Sequence, residues 1–276
     1  MEKLVINFTP TGMMPTKDMT PHVPISPEEI IENVRTALKY GVSMVHLHAR
    51  DRNGLPAYNK EIYAQIIEGI RSFSSDLVIC VSTSGRTHNE FEKRSEVLEL
   101  KGNLKPDMAS LTLSSLNFNN IASINSPEII KKLAQKMKAK GIKPELEAFD
   151  IGMINYANYL IKKGLLAPPY YFNLILGNIA CAQADPLDLG LMIYKLPEES
   201  YWSVGGIGNS QLPMNVAGIC HGGGVRIGLE DNIYFDNERT VLATNEMLLK
   251  RIKNIAESYG AKIASPKEVR EHLNIS

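Results

Sequence analysis

Cysteine is scarce in this chain: Cys80, Cys181 and Cys220 are the three among 276 residues. Odd in number, far apart and without a CxxC pair, they exclude a disulfide framework and a thiolate metal knuckle. They fit a reducing, cytoplasmic setting in which each acts as a small hydrophobe. Net charge is missing as well, because 30 Lys+Arg balance 30 Asp+Glu. Without a basic excess there is no footprint for a phosphate backbone or an anionic membrane surface, so nucleic acid and membrane drop out as partners. No apolar run approaches the roughly 20 residues of a membrane span; the greasiest stretches, such as 170–177, have the length of a strand. Met1-Glu2-Lys3 runs straight into the strand-like Leu4-Val5-Ile6-Asn7-Phe8, which leaves no room for a leader segment. Ser/Gly-rich linkers and shifts of composition are absent too, so residues 1–276 read as a single domain.

What is present is a repeating alternation. A short β-branched run, a polar turn and a stretch with helical spacing of apolar residues follow one another along the chain. Strands are predicted over 3–9, 43–49, 77–83, 107–113, 143–149, 170–176, 201–206 and 224–230, and helices over 27–40, 60–73, 88–99, 126–140, 152–163, 186–195, 211–220 and 240–258. Eight βα units in a chain of this length make an α/β fold of the (β/α)8 TIM barrel type. Helix punctuation agrees. Ser26-Pro27-Glu28-Glu29 and Ser126-Pro127-Glu128 read as an N-cap, a proline in the first turn and acids at the positive dipole end. Gly41, Gly141 and Gly164 fall just past helical stretches, where a left-handed residue is wanted. The longest unassigned stretch, Thr9 to Ile25, is rich in Pro and Met and should lie at the mouth of the barrel as a functional loop.

Residue parity then sorts the polar side chains, since alternate residues of a barrel strand point inward and outward. On the second strand Val45 and Leu47 belong against the helices, which sends His46 and His48 inside. Two His at i and i+2 have Cα atoms about 7 Å apart, so both rings can reach one ion. On the eighth strand Val225, Ile227 and Leu229 go outward, and Arg226, Gly228 and Glu230 inward. The fifth strand presents Glu145 and Glu147, the fourth Ser110 and Thr112, the third Ser82, the first Asn7 and Thr9. A purely structural interior would hold branched aliphatics, because burying polar groups costs free energy unless they are paired or used. Crowded toward the C-terminal strand ends, they mark a catalytic mouth.

Two imidazoles and one carboxylate, His46, His48 and Glu230, form a metal-ligand set with an open position. That is the pattern of catalytic Zn²⁺, and the same facial triad also suits non-haem iron or manganese. Arg226 lies near Asp231, and such pairing is expected to lower the carboxyl pKa and keep it available as a base. Glu145 and Glu147 fit interior ion pairs as well as catalysis. The Gly205-Gly206-Ile207-Gly208-Asn209 turn after the seventh strand has glycines, Gly206 and Gly208 among them, that permit close approach of a phosphate-bearing ligand, although a tight turn explains them equally well. Met13 and Met14 offer adaptable apolar surface to line or plug a pocket.

The segments His46-Leu47-His48-Ala49-Arg50, Ser82-Thr83-Ser84-Gly85, Pro144-Glu145-Leu146-Glu147 and Gly224-Val225-Arg226-Ile227-Gly228-Leu229-Glu230-Asp231-Asn232 together resemble the β-keto acid cleavage enzyme family, nearly end to end. The resemblance implies a (β/α)8 barrel, one zinc ion per chain, acetyl-CoA as co-substrate and a homotetramer. It implies condensation of a β-keto acid with acetyl-CoA, followed by a retro-Claisen split into acetoacetate and a new acyl-CoA. Carried over by position, His46, His48 and Glu230 match the zinc ligands, and Asp231, oriented by Arg226, matches the base that removes the C2 proton. Glu147 lies in the matching strand motif. Ser82, Gly85, Ser110, Thr112 and Met14 fall on the substrate side, and Gly206 and Gly208 on the side of the CoA portion. Members that cleave an amino-substituted substrate carry an acid in the first loop for its ammonium, whereas Thr11-Gly12-Met13-Met14-Pro15 offers no carboxylate before Asp18. A neutral, apolar acyl tail is therefore expected.

Two other classes compete. Metal-dependent hydrolases of the amidohydrolase type also use His-x-His, but on the first strand with further His on strands five and six; here the pair is on strand two and neither later strand contains His. A non-catalytic metal or CoA-binding module would leave Asp231, Arg226 and the serines without a purpose.

Overall fold

The computed structural model describes residues 3–275. Eight parallel strands, β1 (Ile6–Phe8), β2 (Met44–Leu47), β3 (Val78–Val81), β4 (Met108–Thr112), β5 (Lys143–Ala148), β6 (Tyr170–Leu176), β7 (Ser200–Gly206) and β8 (Gly224–Ile227), close into a barrel in sequence order, with β1 bonded to both β2 and β8. Every strand falls inside or within a residue of its predicted span. The crossover helices are α1 (Pro27–Ala37), α2 (Lys60–Arg71), α3 (Phe91–Arg94), α4 (Pro127–Lys140), α5 (Ile151–Lys162), α6 (Pro186–Tyr194), α7 (Gln211–Cys220) and α8 (Asn245–Tyr259). They form where predicted because their apolar residues recur at helical spacing. In α2, Tyr63, Ile66, Ile67 and Ile70 make one buried stripe against the strands. Ser26 and Ser126 cap α1 and α4, and the left-handed Gly141 (φ 61°) ends α4.

Four boundaries differ from expectation. The third helix is a single turn, Phe91–Arg94, followed by a 3₁₀ turn over Glu96–Glu99. Arg94 is turned inward there, donating to the carbonyls of Thr83 and Ile124 and to Asn125, and this tether pulls the chain off a helical path. The eighth helix starts at Asn245, not 240, because Asp236 accepts from Thr240 and Val241 and holds a loop that Thr244 then caps. Strand β8 stops at Ile227, so Glu230 sits in the following turn. A ninth helix, α9 (Pro266–His272), was not expected, although its Ser265/Glu268 capping box is the same signal that marks α1.

That last helix decides which end of the barrel can do chemistry. Val269 and Leu273, with Ala264, pack against the inward-facing Val5, Met44, Val78 and Met108 at the N-terminal end. The bottom is sealed with aliphatics. The same inward parity, followed toward the C-terminal ends, runs into His46, Ser110, Glu145 and Arg226.

Candidate active site

His46 closes β2 on its inner face and is fixed from behind. Its Nδ1 meets Glu145 Oε2 at 2.5 Å, and Glu145 is itself held by Asn7 (2.8 Å) and the Cys80 thiol (3.2 Å). With Nδ1 committed, Nε2 is left toward His48. It lies 3.2 Å from Nε2 of His48, which in turn lies 3.2 Å from Glu230 Oε1. The ligand atoms of His46, His48 and Glu230 all fall within 4.8 Å of one another. Burial, then His46 and Arg226, hold the His48 pKa down against the pull of Glu230, at about 4, so its ring is a neutral donor. Glu230 Oε2 is buried without a hydrogen-bond partner. An orphaned carboxylate oxygen beside two converging imidazole nitrogens is a donor set that fits a divalent cation. His46, Cys80 and Glu145 also cluster. Burial keeps Cys80 protonated, however, and Glu145 reads as the outer partner that orients His46.

Arg226 is the hub of the neighbouring charges. Nearly fully buried, it donates from Nε to Asp231 Oδ2 (3.0 Å) and from Nη2 to Glu230 Oε1 (2.7 Å), with Glu147 Oε1 3.7 Å from Nη1. The expected pairing of Asp231 with Arg226 is present and pulls the pKa down as expected, but the net shift is upward. Burial is the largest influence and raises it. Arg226 pulls it down, Glu230 alongside pushes it up again, and Asp231 stands at about 6. Such a group is ionised at neutral pH yet readily reprotonated. Two adjacent acids facing one guanidinium is impossible on a strand; here the turn does it, with the Gly228 carbonyl accepting from Asp231 and Asn232.

The first loop packs onto this centre as expected. Gly12 has φ 67°, and a Cβ there would lie 2.5 Å from Glu230 Cγ. Arg50, the last residue of the His46–Arg50 segment and given no role in the sequence reading, anchors the loop by donating to the carbonyls of Gly12 and Pro15. A cavity of about 410 Å³ opens over the site. Of the residues singled out from sequence, His48, Glu147, Arg226, Glu230 and Asp231 line it, with Ser82, Thr112, Met14 and Gly208. Thr112 donates to Glu147 (2.7 Å). Gly208 donates its N–H to the Asp231 carbonyl (2.8 Å), which braces the acid.

Four expected site residues are not among those walls: His46 is buried beside His48, and Ser110, Gly85 and Gly206 serve the packing. Ser110 accepts from Thr83 N–H and supports the β3 loop instead. At Gly85 a Cβ would strike the Ile124 carbonyl and Arg94, and at Gly206 the Ser210 backbone, so both are glycine for packing. Residues the sequence gave no reason to select also face the cavity, among them Arg86, Phe118, Asn178 and Tyr234. They sit on loops, where neither period nor parity speaks.

A family model for the beta-keto acid cleavage enzyme matches residues 3–275. The chain belongs to that family. Similar curated proteins include the 3-keto-5-aminohexanoate cleavage enzymes of Fusobacterium nucleatum (37% identical, 100% of this chain, 99% of the relative) and Acetoanaerobium sticklandii (35%, 100% of each). Another is the 3-oxoadipate:acetyl-CoA acetyltransferase of Cupriavidus necator (32%, 98% of this chain, 94% of the relative). Among solved structures, apo ObcA superposes with a TM-score of 0.79 at 19% identity, over 92% of this chain and 66% of its own, which speaks for the shared barrel alone. No helix among the described residues is long and apolar enough to cross a membrane.

Proposed function

We propose that this β-keto acid cleavage enzyme family member condenses a β-keto acid with acetyl-CoA and releases acetoacetate and a new acyl-CoA. The observation that carries the reading is the convergence of His46, His48 and Glu230 beside the Arg226–Asp231 pair, with His48, Glu230, Arg226 and Asp231 lining one cavity. His46, His48 and Glu230 would hold a zinc ion, which when bound supplies Lewis acidity toward the ketone oxygen and so makes the C2 proton easier to remove. Asp231 accepts that proton on a carboxylate oxygen kept in place by Arg226 Nε and, through its carbonyl, by Gly208. Arg226, charged and anchored to Glu230, balances negative charge as it develops at the reacting carbon. The Ser82 hydroxyl lines the cavity beside the ligands, and Thr112 directs Glu147. Gly208, at the cavity wall, leaves room for the CoA portion. Where the acyl tail meets Met13, Met14 and Phe118 it is uncharged and apolar, since that wall has no acid to receive an ammonium.

A cytoplasmic setting is part of this proposal, and the three free thiols support it. A homotetramer is proposed with it, and self-association is supported by α6, whose Leu187 (77% exposed), Leu191 and Tyr194 (79%) recur at i, i+4 and i+7 as an exposed apolar stripe. Such stripes mark surfaces covered by another chain. Light scattering tests the assembly.

For the activity, protein purified without chelator is incubated with acetyl-CoA and a panel of β-keto acids, and acetoacetate and acyl-CoA are followed together with elemental metal content. Both products in equal amounts are expected. Hydrolysis to free acid and CoA, or no acyl-CoA across the panel, would move the assignment to the hydrolase or to the binding module.

A further inference from the structure

Two arginines of the cavity, Arg86 and Arg239, make no ion pair among the described residues, and Arg239 spends its Nε on the Asn209 side chain. Arg86 follows the β3 loop glycine and lays its guanidinium over the Phe118 ring, 3.7 Å from the centroid. Among the described residues Arg86 makes no ion pair and donates no side-chain hydrogen bond, and its Nε is buried without a partner. Arg226 presents the contrast, with three acids within 4 Å. The nearest catalytic carboxylates are thus committed elsewhere, while Arg86 is held in position by stacking and left with its donors unspent. An unpaired guanidinium fixed in a largely apolar wall is a site built for an anion that arrives with the substrate.

Three anions could arrive. The phosphates of CoA are separated from its thioester by a long uncharged arm, and Arg86 stands inside the cavity, near enough for Glu230, Glu147 and Asp231 to influence it. The C1 carboxylate of a β-keto acid is one methylene away from the ketone, so it stays at the reacting end with His46, His48 and Glu230 and does not reach along the wall. A carboxylate on the acyl tail remains. Met13, Met14 and Phe118 would then pack on the intervening methylenes, which keeps the apolar stretch of the tail and changes only its end.

We propose that Arg86 receives a terminal carboxylate of the substrate's acyl tail, so that the preferred β-keto acids are dicarboxylic, with a short methylene spacer. This rests on the function proposed above and names its substrate class. It also revises the expectation of a wholly neutral tail, because Arg86 lies over Phe118 in the cavity wall.

The test compares two six-carbon acids that differ only at the far end, 3-oxoadipate and 3-oxohexanoate. The wild-type protein should favour the dicarboxylate in kcat/KM by roughly 10- to 150-fold, the range that one charged hydrogen-bonded contact supplies. Arg86→Met should bring that ratio to near unity, and Arg86→Lys should restore part of it. Titration calorimetry of both acids without acetyl-CoA reads the same discrimination independently of turnover. A wild-type ratio near one, or a ratio that Arg86→Met leaves unmoved because both acids suffer alike, overturns the proposal and leaves the cleavage reaction standing. Discrimination in binding with no acyl-CoA from either acid would retain the anion site and remove the reaction.

Discussion

Asp231 gives the sharpest prediction because its environment fixes both a sign and a size. Its carboxyl is raised from 3.8 to about 6, with burial as the largest cause and Glu230 adding to it against Arg226. At that value about a tenth of the molecules carry the base at pH 5 and about nine tenths at pH 7. An unperturbed aspartate would leave the rate flat over the same range. A cation on the neighbouring ligands draws the titration lower, so kcat/KM should rise with pH along a limb whose midpoint is at or below about 6. Asp231→Asn should abolish the limb and lower kcat by about 10²- to 10⁴-fold, the usual worth of a general base, while metal content stays full.

Stability gives an independent reading. Between the unfolded and folded pKa values the native protein binds a proton that the unfolded chain has released, so this group's contribution falls as pH rises from about 4 to 6. In chelator-treated protein the Asn variant should therefore match the wild type near pH 4 and exceed it near pH 7, by at most about 3 kcal/mol in urea melts. A limb that survives in Asp231→Asn, or a variant less stable than wild type at pH 7, would refute the reasoning.

Further predictions follow from the same geometry. His46→Ala should reduce bound metal and turnover together, by elemental analysis and acetoacetate formation. Glu145→Gln removes the anion that orients His46 Nδ1, and should weaken metal affinity by about 10- to 100-fold in chelator competition. Gly12→Ala places a Cβ against Glu230 at a left-handed position, so it should cost about 1 kcal/mol or more and lower metal content as well. Leu273→Ala opens the aliphatic seal at the far end, and should cost about 2–5 kcal/mol in urea melts while kcat with saturating substrates holds.

The barrel itself was legible in the chain because its signals are local. Period-two apolar runs and helical stripes such as Tyr63, Ile66, Ile67 and Ile70 are set by backbone geometry over a few residues, and serine caps fix where helices begin. Parity likewise sends His46 and His48 inside. Glu230 reached the right face although the strand had already ended, and its neighbour Asp231 joined it only because the turn after Gly228 breaks the alternation.

What depended on tertiary structure was everything that sums over distant elements. The rise of the Asp231 pKa needs burial by the whole mouth and the Glu230 charge to outweigh one arginine. The solitude of Arg86 cannot be read from Ser84-Gly85-Arg86, since a partner's absence is a property of every strand and loop around it. Which end of the barrel stays open was settled by a C-terminal helix folding back beneath β1, β2, β3 and β4, more than 150 residues from the last of them in sequence. Local periodicity tells a side chain which way to face; the field and the company it meets there are set by elements far along the chain.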